Sequence, residues 1–292
     1  MDIRKLLFVT KFNDLSFNAL QSLFCLREVG FNHVVLTSVI EREKVAMKRG
    51  VGYKKSEAVR LREAVNIRFI DWAEDLFEQG MEVGIYILVG NLVSQVIDAA
   101  RKEMADLIVI GRSRKLFLDQ LFSGPHVTEI IRQASAPVLV YKPPSDKIDL
   151  LDHPFDRPLL AIDWSPACDE AEAFLLGLKG IIKKLTIVHV VDEHKLEGSV
   201  MEIQKTRKIL RAKLHAVVDR MQDEGIETRA YLYVGVTDHE IEKAAKERQA
   251  SMIVLGSSGK SAFKERWLGS TPRTIAEQSE YPALIIPPKR AP

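Results

Sequence analysis

The sequence contains few cysteines, little net charge and no long apolar run. Cys25 and Cys168 are the two cysteines among 292 residues, and they stand too far apart for a metal or redox motif. The formal net charge is +2, which is too balanced for a nucleic-acid-binding surface. No stretch of about 18 apolar residues is present, as a membrane-spanning helix would require. We therefore expect a soluble, cytoplasmic protein that binds neither nucleic acid nor a membrane.

The common catalytic and metal-binding motifs are also missing. No Gly-x-Ser-x-Gly nucleophile elbow occurs, and the seven histidines show no zinc spacing such as His-Glu-x-x-His. The segment from Gly256 to Ser261 ends like a P-loop, but Val254 stands where that motif needs glycine. We expect no metal site and no dedicated set of catalytic residues.

Apolar strand-like runs alternate with helical patterns along the whole chain. This alternation favours open parallel sheets with helices on both faces, and 46% hydrophobic residues suffice for two cores. A segment rich in proline and aspartate, residues 144–157, reads as a semi-rigid linker. We therefore predict an α/β protein with two tandem five-stranded parallel sheets, one in residues 1–143 and one in residues 158–292.

The two halves repeat each other at a spacing of 145 residues. Glycine and proline landmarks recur at this one offset, at Gly90 and Gly235, Gly111 and Gly256, Gly124 and Gly269, and Pro137 and Pro282. Such agreement is hard to obtain by chance. It indicates a tandem duplication of one domain-sized α/β unit.

A glycine-rich loop follows the buried run Met252–Leu255. Gly256 allows a sharp turn and close approach of a ligand to the backbone. Ser270 and Thr271 are expected to cap the next helix, whose N-terminus would attract a phosphate, and Lys260 adds a mobile cation. The loop is thus either a phosphate-binding loop at the carboxyl edge of a sheet or a plain surface turn.

The motifs of the second half resemble those of the universal stress protein family. Its nucleotide-binding members carry Gly, two residues, Gly, nine residues, then Gly with Ser or Thr. Gly256, Gly259, Gly269 and Ser270 fit that pattern. An aspartate at the end of the first strand, Asp163, and the second-strand pattern His189-Val-Val-Asp192 also fit. The resemblance covers both halves, as in a tandem member of the family.

The resemblance implies an adenine nucleotide, ATP or AMP, at the carboxyl ends of the strands, with Mg²⁺ accompanying the phosphates. Asp163 and Val190 would lie by adenine and ribose. The phosphates would be cradled by the motif glycines and by neighbouring hydroxyls and charge, namely Gly256, Ser258, Gly259, Lys260, Gly269, Ser270 and Thr271. The expected role is a stress-response or regulatory one, with slow ATP hydrolysis at most.

The first half departs from the pattern. Laying the first strands of the two halves on each other puts Thr10 in the place of the family aspartate, with Lys11 next to it. Arg114 replaces the second motif glycine, and Pro125 replaces the serine. We expect a weak or empty site in this half; the alternative is that Lys11, Arg112 and Arg114 rebuild a basic pocket for a different anion.

A further alternative is a nucleotide-independent scaffold. The last strands of the two halves, residues 138–141 and 283–286, are both apolar and both follow a proline. Edge strands of this kind are expected to pair or to be buried. They suggest an internal pseudo-dimer of the two domains, and they allow a homodimer.

Overall fold

Two α/β units make up the chain in the computed structural model. One unit spans Asp2–Pro143 and the other Pro144–Pro292, and they are called here the first and the second unit. The structure describes residues 3–11, 16–45, 54–111, 124–142, 153–192, 200–258 and 268–289.

The first unit is a five-stranded parallel sheet in the order β3-β2-β1-β4-β5. Its strands are β1 (Lys5–Val9), β2 (His33–Glu41), β3 (Glu82–Gly90), β4 (Leu107–Gly111) and β5 (Val138–Tyr141). Its α-helices are α1 (Phe17–Gln21), α2 (Arg42–Val45), α3 (Lys55–Glu78), α4 (Leu92–Glu103) and α5 (Gly124–Gln133). Each crossover between parallel strands contains helical residues, as parallel pairing requires.

The second unit repeats this topology, with strand order β8-β7-β6-β9-β10. Its strands are β6 (Pro158–Ala161), β7 (Leu185–Val191), β8 (Thr228–Val234), β9 (Met252–Gly256) and β10 (Ala283–Ile286). Its helices are α6 (Pro166–Gly177), α7 (Val200–Asp223), α8 (Thr237–Glu247) and α9 (Ser270–Gln278). The fold class predicted from sequence is confirmed.

The central strands of both sheets are buried on both faces. All five residues of β4 are buried, and so are the first four of β9. A strand covered by helices on both sides has no solvent face, which is why these segments read as continuous apolar runs rather than alternating ones.

Part of the segment expected to be a linker packs into the second unit. Phe155 is fully buried, and the Asp156 carboxylate is buried and bonded to Lys183 Nζ at 2.7 Å. The Ser251 hydroxyl donates to the carbonyl oxygen of Pro154 at 2.6 Å. Residues 153–157 therefore lead directly into β6.

Residues 17–29 form two short helical segments rather than one continuous helix. The structure has the short helix α1 and then a 3₁₀ helix at Phe24–Val29, which ends at Gly30 with a φ of 104°. The Ser22 hydroxyl donates to the Ala19 carbonyl at 2.8 Å. Such a side-chain bond competes with the helical backbone ladder, and here it coincides with the break.

Candidate functional site

A cavity of about 490 Å³ opens at the carboxyl edge of the second sheet. The ends of β6, β7 and β9 and the first turns of α8 and α9 line it. Of the residues predicted from sequence, seven line the cavity: Asp163, Val190, Gly256, Ser258, Gly269, Ser270 and Thr271. The other two, Gly259 and Lys260, lie outside the described residues. Residues distant in sequence thus meet in one place.

Asp163 lies in the turn between β6 and α6. The strand ends at Ala161, two residues earlier than the sequence suggested. The Asp163 carboxylate accepts a hydrogen bond from the Ser165 backbone N–H at 3.0 Å, and Ser165 in turn caps α6 by accepting from the Cys168 N–H at 3.3 Å. One role of this aspartate is therefore to order the turn that borders the cavity.

Cys168 is buried next to that turn. Burial raises the pKa of its thiol from 9.0 to about 12, although nearby backbone groups of Asp163 and Trp164 oppose the rise. A thiolate is the reactive form of cysteine, so this thiol is kept protonated and unreactive at neutral pH. Cys168 is a buried packing residue of α6.

Trp164 adopts a left-handed backbone, with a φ of 56°, which is strained for a bulky side chain. Its ring lies against His189, with ring centres 4.3 Å apart, and Lys213 Nζ lies 5.2 Å from the indole centre. His189 Nδ1 is 2.7 Å from the carbonyl oxygen of Ile162, so Nδ1 carries the proton and donates. Strand β7 and helix α7 thereby hold the turn after Asp163 in place.

The sequence analysis did not identify this aromatic cluster as part of the site. Its signal is the position of Trp164 directly after Asp163 and of His189 directly before Val190. Both residues neighbour predicted site residues in sequence, but their mutual contact joins the turn after β6 to strand β7. Sequence spacing alone does not reveal such a contact.

Gly256 permits a close approach between β9 and α6. A Cβ atom at this position would lie 2.9 Å from the backbone carbon of Ala167 and 3.0 Å from the Cys168 nitrogen. Backbone cannot move aside as a flexible side chain can. The glycine is therefore required first by the packing of the first turn of α6 against β9.

A backbone hydrogen bond joins the two ends of the glycine-rich loop. The Gly269 N–H donates to the Ser257 carbonyl at 3.0 Å, and the Ser257 N–H donates to the Ile286 carbonyl at 2.7 Å. The first of these bonds closes the loop whose residues 259–267 lie outside the described part of the chain. Ser258 and Gly269 are thereby held on the cavity wall.

The expectation that Ser270 and Thr271 cap the last helix is wrong. Helix α9 begins at Ser270, and its N-cap is Gly269, with no side-chain cap bond among the described residues. Ser270 and Thr271 occupy the first two helical positions. Their backbone N–H groups belong to the first turn, which has no intrahelical acceptors. The loop therefore presents backbone donors as well as hydroxyls to the cavity.

Helix α8 contributes a second N-terminus that the sequence analysis missed. Thr237, its first residue, and Ile241 line the cavity. The N-cap is Val236, which has no side chain able to accept a cap hydrogen bond. The Val234-Gly235 turn just before it was the available signal. Two helix N-termini whose N-cap residues form no side-chain bond therefore face one cavity. In the first turn of α8 the Asp238 carboxylate already accepts from the His239 N–H, so the α9 terminus is the more favourable of the two for an anion.

The strand register shows which residue of the first unit corresponds to Asp163. Strands β4 and β9 are equivalent at the 145-residue offset, so Ile110 of β4 corresponds to Leu255 of β9. In the first unit Val9 of β1 pairs with Ile110, and in the second unit Ala161 of β6 pairs with Leu255. Two residues beyond these pairs lie Lys11 and Asp163. The placement of Thr10 opposite the aspartate was wrong by one residue, and the first unit carries a lysine there.

Lys11 forms an ion pair with Glu41, with Nζ and Oε1 2.7 Å apart and both side chains largely buried. Glu41 ends β2 opposite Gly90. In the first unit, therefore, a cation–carboxylate pair stands at the sheet edge where the second unit has Asp163. The basic pocket considered as an alternative for the first unit therefore loses the charge of Lys11, which Glu41 neutralises. Its other two members, Arg112 and Arg114, lie outside the described residues.

The matching helix N-terminus of the first unit is capped by its own chain. Asn91 is equivalent to Val236 at the 145-residue offset, and its side-chain oxygen accepts from the Ser94 N–H at 3.1 Å. The cavity at this edge measures about 350 Å³, and Glu41, Arg42, Gly90, Asn91, Leu92 and His126 line it. The two units thus present different chemistry on the same frame.

Within the described ranges, no group of three or more His, Cys, Asp and Glu residues is arranged to hold a metal ion. Nor does any helix within those ranges have the length and apolarity to cross a membrane.

The model of the universal stress protein family matches the chain twice, at residues 2–142 and 154–287. The chain belongs to this family. Universal stress protein YxiE of Bacillus subtilis is 29% identical over 149 residues, which is 45% of this chain and 99% of that protein. A universal stress protein of Mycolicibacterium smegmatis is 26% identical over 226 residues, or 72% of this chain and 70% of the relative. The tandem arrangement predicted from the 145-residue repeat is thus consistent with two family matches.

Among solved structures, a universal stress protein from Archaeoglobus fulgidus resembles the whole chain. The TM-score is 0.74 at 20% identity, and the match covers 98% of this chain and 97% of that one. A universal stress protein fold therefore extends over both units.

Proposed function

We propose that the second unit binds an adenine nucleotide, ATP or AMP, and that the protein acts as a nucleotide-dependent regulatory or stress-response protein. The observation that carries this proposal is the meeting of seven motif residues around one cavity at the carboxyl edge of a parallel sheet. Ligands of open α/β sheets bind at this edge. A volume of about 490 Å³ lies within the range of small-molecule sites.

The cavity offers different chemistry at its two ends. Val190 and Asp163 lie at the ends of β7 and β6, where the proposal places adenine and ribose. Ser258, Ser270 and Thr271 gather hydroxyls and first-turn N–H groups at the other end, where the phosphates would bind. Lys260 and Gly259 would complete the phosphate end, and Mg²⁺ would neutralise part of the phosphate charge.

We further propose that the first unit does not bind the nucleotide. Its ion pair of Lys11 with Glu41 stands at the position of Asp163, and Asn91 already accepts from the first turn of α4. Pro125 follows Gly124 where the second unit has Ser270, and proline lacks the N–H that a phosphate would accept from. Each change removes an interaction that the second unit offers.

We propose a binding rather than a catalytic role. Of the two aspartates that line the described cavity, Asp163 and Asp192, Asp163 already accepts from the Ser165 N–H, which fits a turn-ordering residue. Rapid ATP hydrolysis would need a positioned base or water. Incubation of the purified protein with labelled ATP separates the two roles: retention of ATP without ADP supports regulation, and multiple turnovers of ADP would make the protein a hydrolase.

Native mass spectrometry and calorimetry of the full chain test the binding site. We expect one nucleotide per chain. Asp163→Lys, which copies the first unit's Lys11, should weaken ATP binding at least about tenfold, or 1.4 kcal/mol. Ser270→Pro, which copies Pro125, should also weaken it. The matched control is Lys11→Ala, which should leave affinity and stoichiometry unchanged.

Three results would contradict the proposal. An unaltered affinity in both second-unit variants, with circular dichroism confirming their fold, would remove the site from this cavity. Two nucleotides per chain would refute the assignment of binding to the second unit alone. Absence of any nucleotide binding by the wild-type chain would favour a nucleotide-independent scaffold.

A further inference from the structure

A second cavity of the second unit, of about 770 Å³, runs along the edge strand β8. Residues 228–233 of β8 form its floor, and residues 211–222 of α7 and the end of α8 form its walls. We call it the edge trough. It shares no lining residue with the cavity at the carboxyl edge of the sheet. The proposed nucleotide site therefore does not account for it.

The backbone groups of β8 point alternately to β7 and to the edge trough. The Glu227 carbonyl accepts from β7 at 2.8 Å, and the Gly235 N–H donates to β7 at 3.0 Å. In a parallel pair, alternate residues bond to a given neighbour, so the odd-numbered residues of β8 bond to β7. The N–H and C=O groups of the even-numbered residues, including Ala230 and Leu232, therefore point into the trough.

These outward groups form an open sheet edge. Gln222 Nε2 donates to the outward carbonyl of Thr228 at 3.0 Å, at the start of the strand. The outward groups of Ala230 and Leu232 have no hydrogen-bond partner within the described part of the chain. Unpaired donors and acceptors that repeat every two residues, roughly 7 Å, are a template for another extended strand.

The α8 wall of the trough is satisfied within the second unit. Arg248 lies over the Tyr231 ring at 3.7 Å from its centre, and the Tyr233 hydroxyl donates to Glu247 at 2.7 Å. Glu247 also lies 4.0 Å from the Arg248 guanidinium. Because Tyr231 and Tyr233 face α8, the alternate side chains of β8, such as Leu232, face α7.

The α7 wall carries two charges of opposite sign. Arg211 and Asp219 both line the trough, and neither forms an ion pair with another of the described residues. His215 and the buried side chains of Leu214 and Val218 lie between them along the wall. An occupant of this wall should therefore be charged at both ends and apolar in the middle.

The contact of Gln222 with the start of β8 shows where these charges lie along the strand. Helix α7 runs antiparallel to β8, at about 1.5 Å per residue against about 3.3 Å for the strand. Counting back from Gln222 places Asp219 about level with Ala230 and Arg211 about level with Val234. The two charges thus stand beside the open part of the edge.

The twin edge of the first unit lacks this pair of charges. At the 145-residue offset, Asn66 and Glu74 of α3 are equivalent to Arg211 and Asp219. A neutral amide therefore replaces the cation. The charge pattern is a feature of the second unit and not of the duplicated fold.

We propose that the edge trough binds an extended peptide segment of a partner protein, which adds to β8 as an antiparallel strand. Antiparallel pairing is slightly more stable per residue than parallel pairing. Arg211 and Asp219 are eight helical residues apart, about 12 Å, and strand positions i and i+4, which share a face, are about 13 Å apart. The segment therefore reads, in chain order, acidic, any, apolar, any, basic.

Fluorescence polarisation with the full chain and no nucleotide tests the proposal. The probe is the labelled peptide acetyl-Thr-Glu-Thr-Val-Thr-Lys-Thr-amide, and we expect a Kd below about 1 mM. The same peptide with its Glu and Lys exchanged should bind at least about threefold more weakly, since both charge contacts become repulsive. N-methylvaline in place of valine should weaken binding about tenfold, because it removes a backbone donor to the edge.

A charge reversal in the protein tests the assignment to α7. Arg211→Glu combined with Asp219→Lys should reverse the preference, so that the exchanged peptide binds more tightly than the original one. The matched control is Asn66→Glu combined with Glu74→Lys on α3, which should keep the wild-type preference. Unchanged thermal unfolding shows that both variants fold.

Amide exchange followed by NMR places the peptide on the strand. The Ala230 and Leu232 amides should exchange more slowly when the peptide is bound, whereas the equivalent amides of β3, at Ile85 and Ile87, should not change. Absence of binding at 1 mM peptide, an unaltered preference in the α7 variant, or unchanged exchange at Ala230 and Leu232 would overturn the proposal. So would protection of these two amides that rises with protein concentration without peptide, because a second copy would then cover the edge.

Discussion

At the scale of single residues, the two units differ in charge at one equivalent position at the carboxyl edge of their sheets. Lys11 and Asp163 stand at equivalent places on the two sheets and carry opposite charges. In the first unit the lysine is paired with Glu41, whereas in the second the aspartate orders the turn into α6. One exchange therefore alters both the charge of the sheet edge and the hydrogen bonds that shape it.

Gly256 gives a prediction at this scale. Gly256→Ala places a Cβ atom 2.9 Å from the Ala167 backbone, so α6 must shift away from β9. Overpacking of this kind should destabilise the protein by about 1–3 kcal/mol. Urea unfolding followed by circular dichroism measures the change.

Gly84 in β3 is the control for that substitution. A Cβ there would meet Val35 side-chain atoms at 3.6 Å, which is ordinary contact. Gly84→Ala should change the free energy of unfolding by less than about 1 kcal/mol, since alanine also restricts the unfolded chain. Equal effects of the two substitutions would show that the close approach of α6 to β9 has been misjudged.

At the scale of helices and strands, the two units differ in how their third crossover helix begins. Asn91 accepts from the Ser94 N–H at the start of α4, while Val236 at the start of α8 has no polar side chain. A capped N-terminus satisfies its own donors, whereas an uncapped one has N–H groups available for a ligand. The contrast is one reason why we propose a nucleotide site in the second unit and none in the first.

Asn91→Ala tests the role of the cap. Loss of the side-chain acceptor should destabilise the first unit by about 1 kcal/mol, the usual value for an N-cap. Val236→Ala at the twin position removes no cap bond and should cost less. Thermal unfolding of both variants gives the comparison. A larger loss for Val236→Ala than for Asn91→Ala would contradict the assignment of the cap.

The strands were predictable because each buried run carries its own signal. Leu107–Gly111 and Met252–Gly256 are continuous apolar segments that end in glycine, and the 145-residue repeat tied them together. The register was not predictable in the same way. The run from Leu6 to Val9 looks alike after a shift by one residue, and only its pairing with a strand a hundred residues away shows that Lys11, not Thr10, is equivalent to Asp163.

The start of α9 shows a second limit of sequence reasoning. Serine and threonine favour the N-cap position, and on that preference Ser270 and Thr271 were expected there. The bond from Gly269 N–H to Ser257 closes the loop and sets the helix start at Ser270 instead. A contact across twelve residues thus prevailed over a local preference, while the residues brought to the cavity were still those predicted.

At the scale of the whole molecule, duplication has produced two sheets that share one strand order but carry different residues at the carboxyl ends of their strands. The second unit collects the motif residues around a larger cavity, and the first replaces them with an ion pair, a helix cap and a proline. This division supports the proposal that the second unit, and not the first, binds the nucleotide.

Hydrogen exchange of the full chain with and without ATP tests this division. A ligand that binds only the folded state of one site stabilises it by RT ln(1 + [L]/Kd), about 2.7 kcal/mol at a hundredfold excess over Kd. We expect slower exchange in peptides that contain Asp163, Val190 and Ser270, because their amides lie around the cavity. Peptides that contain Lys11 and Asn91 should exchange at an unchanged rate, because Lys11 is already paired with Glu41 and Asn91 already caps α4. Equal protection in both halves would mean that the ion pair opens for a ligand, and the two units would then be alike in function as well as in fold.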